Sequence, residues 1–168
     1  MEALEDATVI RSPSSFPVWK AFSVGTRPLS EVMRRIGNSD TTEHIRNRYA
    51  LEEKPLGPYF AQVASRTVGE LGFAQEREPV YLGRLVRSAI LNGFEPVFAL
   101  TALTLRDIYV DQPEDEMLYV PLKTCGAGFP FEVLYLTREN GAPVVRLSGK
   151  QFFGLNDRFV FKTPFGIR

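Results

Sequence analysis

The stretch Pro143 to Pro164, PVVRLSGKQFFGLNDRFVFKTP, constrains the fold most, because its alternation sets both a strand and the faces of that strand. It reads as two strands folded back around Ser148-Gly149-Lys150, since Gly accepts the positive φ of a tight turn. A period of two places Phe153, Leu155, Asp157, Phe159 and Phe161 on one face, and Asn156, Arg158, Val160 and Lys162 on the other. Four large apolar side chains call for a buried face, yet Asp157 stands in its middle. An unpaired buried carboxylate is costly, so Asp157 requires a cationic or hydrogen-bonding partner, or a proton. Two readings stay open. Asp157 is a working group in a site, or it belongs to a structural ion pair or an irregular strand that reaches solvent.

Ahead of this stretch the chain changes period once. Residues 1–25, with Pro13, Pro17, Gly25 and serines at 12, 14 and 15, read as an extended lead-in to a domain spanning 26–168, anchored by Phe16, Val18, Trp19 and Phe22. Leu29, Val32, Met33 and Ile36 then recur at helical spacing after Pro28, with Gly37 suited to a left-handed cap. A second helix is expected from Asp40 to about Glu53, with Glu43 completing a capping box. His44, the only His, lies on it and reads as a surface residue rather than a metal ligand. From Pro58 onward the pattern predicts strands over 59–68, 80–91, 96–105, 131–137, 143–148 and 152–162. Turns are expected at Asn92-Gly93 and Asn140-Gly141. The segment 80–91 is apolar on both faces, which implies a central strand, and its Arg84 and Arg87 then call for anionic partners. Residues 121–128 read as a flap. The expected fold is α+β: one mainly antiparallel sheet of about six strands with the helices on one face.

Charge and composition narrow the function. Lys plus Arg balance Asp plus Glu at 20 each, so nothing points to an electrostatic grip on nucleic acid or on an anionic membrane. Thirteen Phe and six Tyr suit a β-rich core and a pocket for a flat or ring-shaped ligand. The lone Cys125 excludes an internal disulfide and agrees with a reducing compartment. The acidic start is unlike a signal peptide and no apolar run reaches membrane-spanning length. A cytoplasmic protein with no membrane contact, no metal and no cofactor is expected.

Three places resemble the chorismate pyruvate-lyase family, whose fold also occurs in the ligand-sensing domains of some repressors. They are GRLVRSAILNGFEPVFALTALTL over 83–105, Arg146-Leu147-Ser148-Gly149-Lys150, and Asn156-Asp157-Arg158-Phe159-Val160. The resemblance implies that Arg87 grips the carboxylate of a ring and that Asp157 stands where the family has Glu, at the hydroxyl side of that ring. It places Thr101 where some members carry an arginine, and Lys123 where the family's flap has Gly, so that Lys123 either reaches an anionic ligand or is a solvated loop lysine. It implies elimination of pyruvate from chorismate to give a hydroxybenzoate, with Arg87 and Asp157 catalytic. The alternative is a non-catalytic pocket for a small aromatic carboxylate. Asp is one methylene shorter than Glu, which bears directly on catalysis.

Overall fold

The computed structural model describes residues 18–37, 39–54, 57–124 and 132–163. The lead-in up to residue 17 and the second half of the expected flap, residues 125–128 with Cys125, lie outside the described residues. The order of elements is β1 (Lys20–Val24), α1 (Leu29–Arg35), α2 (Asp40–Arg48), β2 (Tyr59–Thr67), β3 (Val80–Tyr81), α3 (Leu82–Leu91), α4 (Ala99–Ile108), β4 (Leu118–Pro121), β5 (Val133–Glu139), β6 (Ala142–Leu147), β7 (Phe152–Phe153) and β8 (Arg158–Lys162). Six strands form one sheet in the order β1-β2-β8-β4-β5-β6, and β3 pairs with β7 in a two-stranded ribbon. Every pairing is antiparallel except that of β4 with β8. The class is therefore α+β with a mainly antiparallel sheet. Among the described residues no helix is long and apolar enough to cross a membrane.

The first helix forms where the periodicity predicts it, and the second starts at Asp40 as expected but ends at Arg48, short of the expected Glu53. Leu29, Val32 and Met33 are buried on α1, and Gly37 follows at a φ of +78°, the left-handed conformation that Gly adopts without a Cβ penalty. The cap of α2 differs by one residue from expectation. Ser39 is the N-cap and exchanges hydrogen bonds with Thr42, because Ser39 holds the extended backbone a cap requires. Residues 20–24, read from sequence as lead-in, are edge strand β1. Trp19 docks edge-on against Tyr109, with ring centroids 5.1 Å apart, and so does anchor this end of the chain.

The larger correction concerns residues 80–105. The expected central strand 80–91 and its return strand 96–105 are helices α3 and α4. On α3 the buried residues are Leu82, Leu85, Val86 and Ala89, a spacing of i, i+3, i+4, i+7 that fits one helical stripe as well as it fits a two-faced strand. Asn92-Gly93 accordingly ends a helix, with Gly93 at a φ of +90°, instead of joining two strands. The helix α4 is buried nearly all round, from Ala99 to Asp107. Helix burial all round is what a central packing element shows, and it explains why no amphipathic signal marked this one.

The sheet is covered on both sides rather than one. Val160 packs with residues of α1, α2 and α4, while its neighbours Phe159 and Phe161 pack with Leu82, Leu85, Val86 and Ala89 of α3. Adjacent strand residues point to opposite faces, so α3 covers the face opposite the other three helices. Under α3 lies an aromatic cluster in which Phe153 meets Phe159 at 4.8 Å and Tyr119 at 4.9 Å.

The C-terminal stretch is not a simple hairpin. β6 is an edge strand paired with β5, through a tight turn at Asn140-Gly141 in which both residues have positive φ. β7 leaves the main sheet to pair with β3, and β8 inserts between β2 and β4. Phe153, Phe159 and Phe161 are buried as expected. A turn at residues 155–156 interrupts the strand and lifts Asp157 to the edge of that face.

Candidate functional site

Arg87 lies on the exposed side of α3, above the buried Leu85 and Val86, and it makes no hydrogen bond or ion pair among the described residues. Arg84, one turn earlier, pairs with Glu76 at 2.6 Å and covers the Phe73 ring. Asp157 is partnered elsewhere. Its Oδ2 accepts from Lys150 Nζ at 2.9 Å and from the Gly154 N–H at 2.9 Å. The carboxylate is 27 % exposed, so this is a turn-closing ion pair near the surface. Arg87 and Asp157 are not brought together.

Thr101 and Lys123 do converge, on the start of α4. The chain reaches that point through residues 95–98, which are stitched into the sheet. Glu95 and Lys162 exchange backbone hydrogen bonds of 3.1 and 2.8 Å, the Val97 N–H donates to the Pro121 carbonyl at 3.1 Å, and the Lys123 N–H donates to the Val97 carbonyl at 2.7 Å. Pro96 has no N–H to offer such a ladder, so pairing falls to its neighbours. The first turn of α4 is thereby fixed against β2 and β8, and a cavity of about 190 Å³ is left between them.

The cavity is apolar with a polar floor. Phe60, Ala61, Val63, Val97 and Phe98 line it together with Tyr59, Thr101 and Lys162. The Tyr59 and Thr101 hydroxyls are hydrogen-bonded at 2.7 Å, and Tyr59 meets Phe98 edge to face at 6.0 Å. Burial raises the Tyr59 pKa, and the bond to Thr101 only partly offsets this, so its hydroxyl stays protonated at physiological pH. Two lysines stand beside the cavity, one of them paired with a carboxylate. Lys123 Nζ sits over the Phe98 ring at 5.3 Å, and Lys162 Nζ, whose side chain is 29 % exposed, is 3.4 Å from Glu95. The N-cap Phe98 supplies no side-chain hydrogen bond to α4, which leaves the positive end of the helix dipole facing this region.

Such a site can bind a ring and steer an anionic substituent, but its described lining holds no carboxylic acid and no imidazole. Among the described residues no group of three His, Cys, Asp or Glu side chains is placed to hold a metal ion. Tyr59, Phe98 and Lys162 escaped the sequence reading, because Tyr59 and Thr101 are 42 residues apart and only the packing of α4 on β2 joins them. No protein-family model, curated protein or solved structure is significantly similar to the chain.

Proposed function

We propose that this protein binds a small aromatic or cyclic carboxylate in the cavity between β2 and the start of α4. The observation that carries this reading is a cavity of about 190 Å³ with aromatic walls and the Tyr59–Thr101 hydroxyl pair on its floor. A dry apolar cavity of about 150 Å³ is enough to take benzene, so a single substituted ring fits by volume. Its carboxylate is drawn toward Lys123 and the uncapped first turn of α4. Aromatic lining supplies the area, and a few polar groups fix the orientation.

Binding is better supported than pyruvate elimination. Proton transfer needs a donor within hydrogen-bond reach of the ring, and the described lining offers none with carboxyl chemistry. Asp157 is committed to Lys150 and Arg87 points into solvent. The resemblance to the chorismate pyruvate-lyase family contributes the choice of ring, although its first stretch, expected as a strand hairpin, is helical here. Titration with 4-hydroxybenzoate tests the binding reading, and incubation with chorismate in parallel, assayed for released pyruvate, tests the lyase reading.

A further inference from the structure

At its other end α4 carries Arg106-Asp107, two charges buried inside the fold, at 1 % and 6 % exposure. Asp107 uses both carboxylate oxygens: Oδ2 is 3.2 Å from an Arg27 guanidinium nitrogen and Oδ1 is 2.6 Å from Arg35 Nε. Arg106 has no such partner. Its terminal nitrogens donate to the Gln112 side chain, to the Thr137 carbonyl at 2.9 Å and to the Tyr109 carbonyl at 2.5 Å, all of them neutral. Arg138 donates likewise to the carbonyls of Val110 and Gly141. The Nε–H groups of both Arg106 and Arg138 are buried without a hydrogen-bond partner.

These groups border one cleft of about 290 Å³, lined by Arg35, Arg106, Asp107, Val110, Arg138 and Pro143. Three guanidinium groups there face one carboxylate, and that carboxylate is already engaged by Arg27 and Arg35. Burial and the neighbouring charge of Arg138 lower Arg106 to about 10, with Tyr109 and Glu116 acting in the opposite direction. A buried donor left unpaired is costly, and more so when it is charged. Arg106 and Arg138, which carry these two donors, both line the cleft.

We propose that the cleft between α1, α4 and the β5–β6 hairpin binds a phosphate group. A tetrahedral dianion offers lone pairs in several directions, enough for two separate guanidinium groups, and enough charge to balance them. A carboxylate offers a single charge and one planar fork. The volume leaves room for a small substituent on the phosphate, so free phosphate and a phosphomonoester share the chemistry.

The test uses the full chain in a buffer free of phosphate and sulfate, at constant ionic strength. Inorganic phosphate should raise the thermal midpoint by an increment that grows with its concentration, as a ligand of the native state does. Acetate and chloride should not. Calorimetry should show phosphate binding weakened about tenfold or more in Arg138→Gln, the loss of a hydrogen bond to a charged group. Arg138→Lys keeps the charge but not the Nε–H and should fall between the two. Phenyl phosphate binding tighter than inorganic phosphate assigns the site to a phosphomonoester, and equal binding assigns it to the free ion. Equal midpoint shifts from phosphate and acetate, or an Arg138→Gln variant that binds phosphate as tightly as the parent, overturn the proposal.

Discussion

The hydroxyls of Tyr59 and Thr101 lie 2.7 Å apart, joining the first residue of β2 to the first turn of α4 at the floor of the cavity. Each is the other's partner, so removing one strands the other. Thr101→Val should destabilise the fold by about 1–2 kcal/mol, and Tyr59→Phe by a similar amount. The double variant should cost clearly less than the sum, since no orphaned hydroxyl remains. Urea unfolding of the four proteins reads this out; strictly additive losses would show that the two hydroxyls do not depend on each other.

Asp157 closes the turn between β7 and β8. Asp157→Asn should cost no more than about 1 kcal/mol, the usual scale of a solvent-accessible ion pair, and should leave affinity for a ring carboxylate unchanged. The assay pairs denaturant unfolding with ligand titration of parent and variant. Pyruvate released from chorismate by the parent and lost in Asp157→Asn would instead return Asp157 to a catalytic role.

Glu132 ties α2 to the sheet by accepting from His44 Nε2 at 3.1 Å, Arg48 Nε at 3.0 Å and Tyr49 OH at 2.8 Å. Burial pushes its pKa up, but these hydrogen bonds outweigh burial and hold it below the ordinary carboxylate value of 4.5. A carboxylate with a depressed folded-state pKa stabilises the fold fully above its unfolded pKa, and that contribution is lost as pH falls through the folded value. Parent and Glu132→Gln should therefore differ in thermal midpoint at about pH 6 and converge as the pH drops below the carboxylate range. A difference independent of pH would contradict the assignment.

What sequence could and could not reveal follows from the physics of each segment. Leu29, Val32, Met33 and Ile36 repeat at a spacing no strand shares, so α1 was legible. Leu82, Leu85, Val86 and Ala89 satisfy a helical stripe, yet Val80, Leu82, Val86 and Ile90 also satisfy a strand, and only tertiary packing decides between them. The burial of Arg106 and Asp107 depends on Gln112, Thr137 and the two arginines of the α1 region, none adjacent in sequence. The apolar face of Phe153, Phe159 and Phe161 was readable by alternation. The turn that moves Asp157 off that face was not, because the pattern of two carries unbroken through Leu155. Of the residues singled out for a site, Thr101 and Lys123 reach the cavity region and Arg87 and Asp157 do not.

The central claim is best tested by calorimetric titration of 4-hydroxybenzoate into the parent protein and into Ala61→Leu, with circular dichroism to establish that both are folded. Ala61 lines the cavity, and a leucine there would occupy the space a ring needs. The parent should bind with a Kd on the order of 0.1–1 mM, the scale open to so small a ligand, and Ala61→Leu should bind about tenfold more weakly or not at all. No heat of binding from the parent at millimolar ligand, or equal binding by a folded Ala61→Leu, would contradict the account.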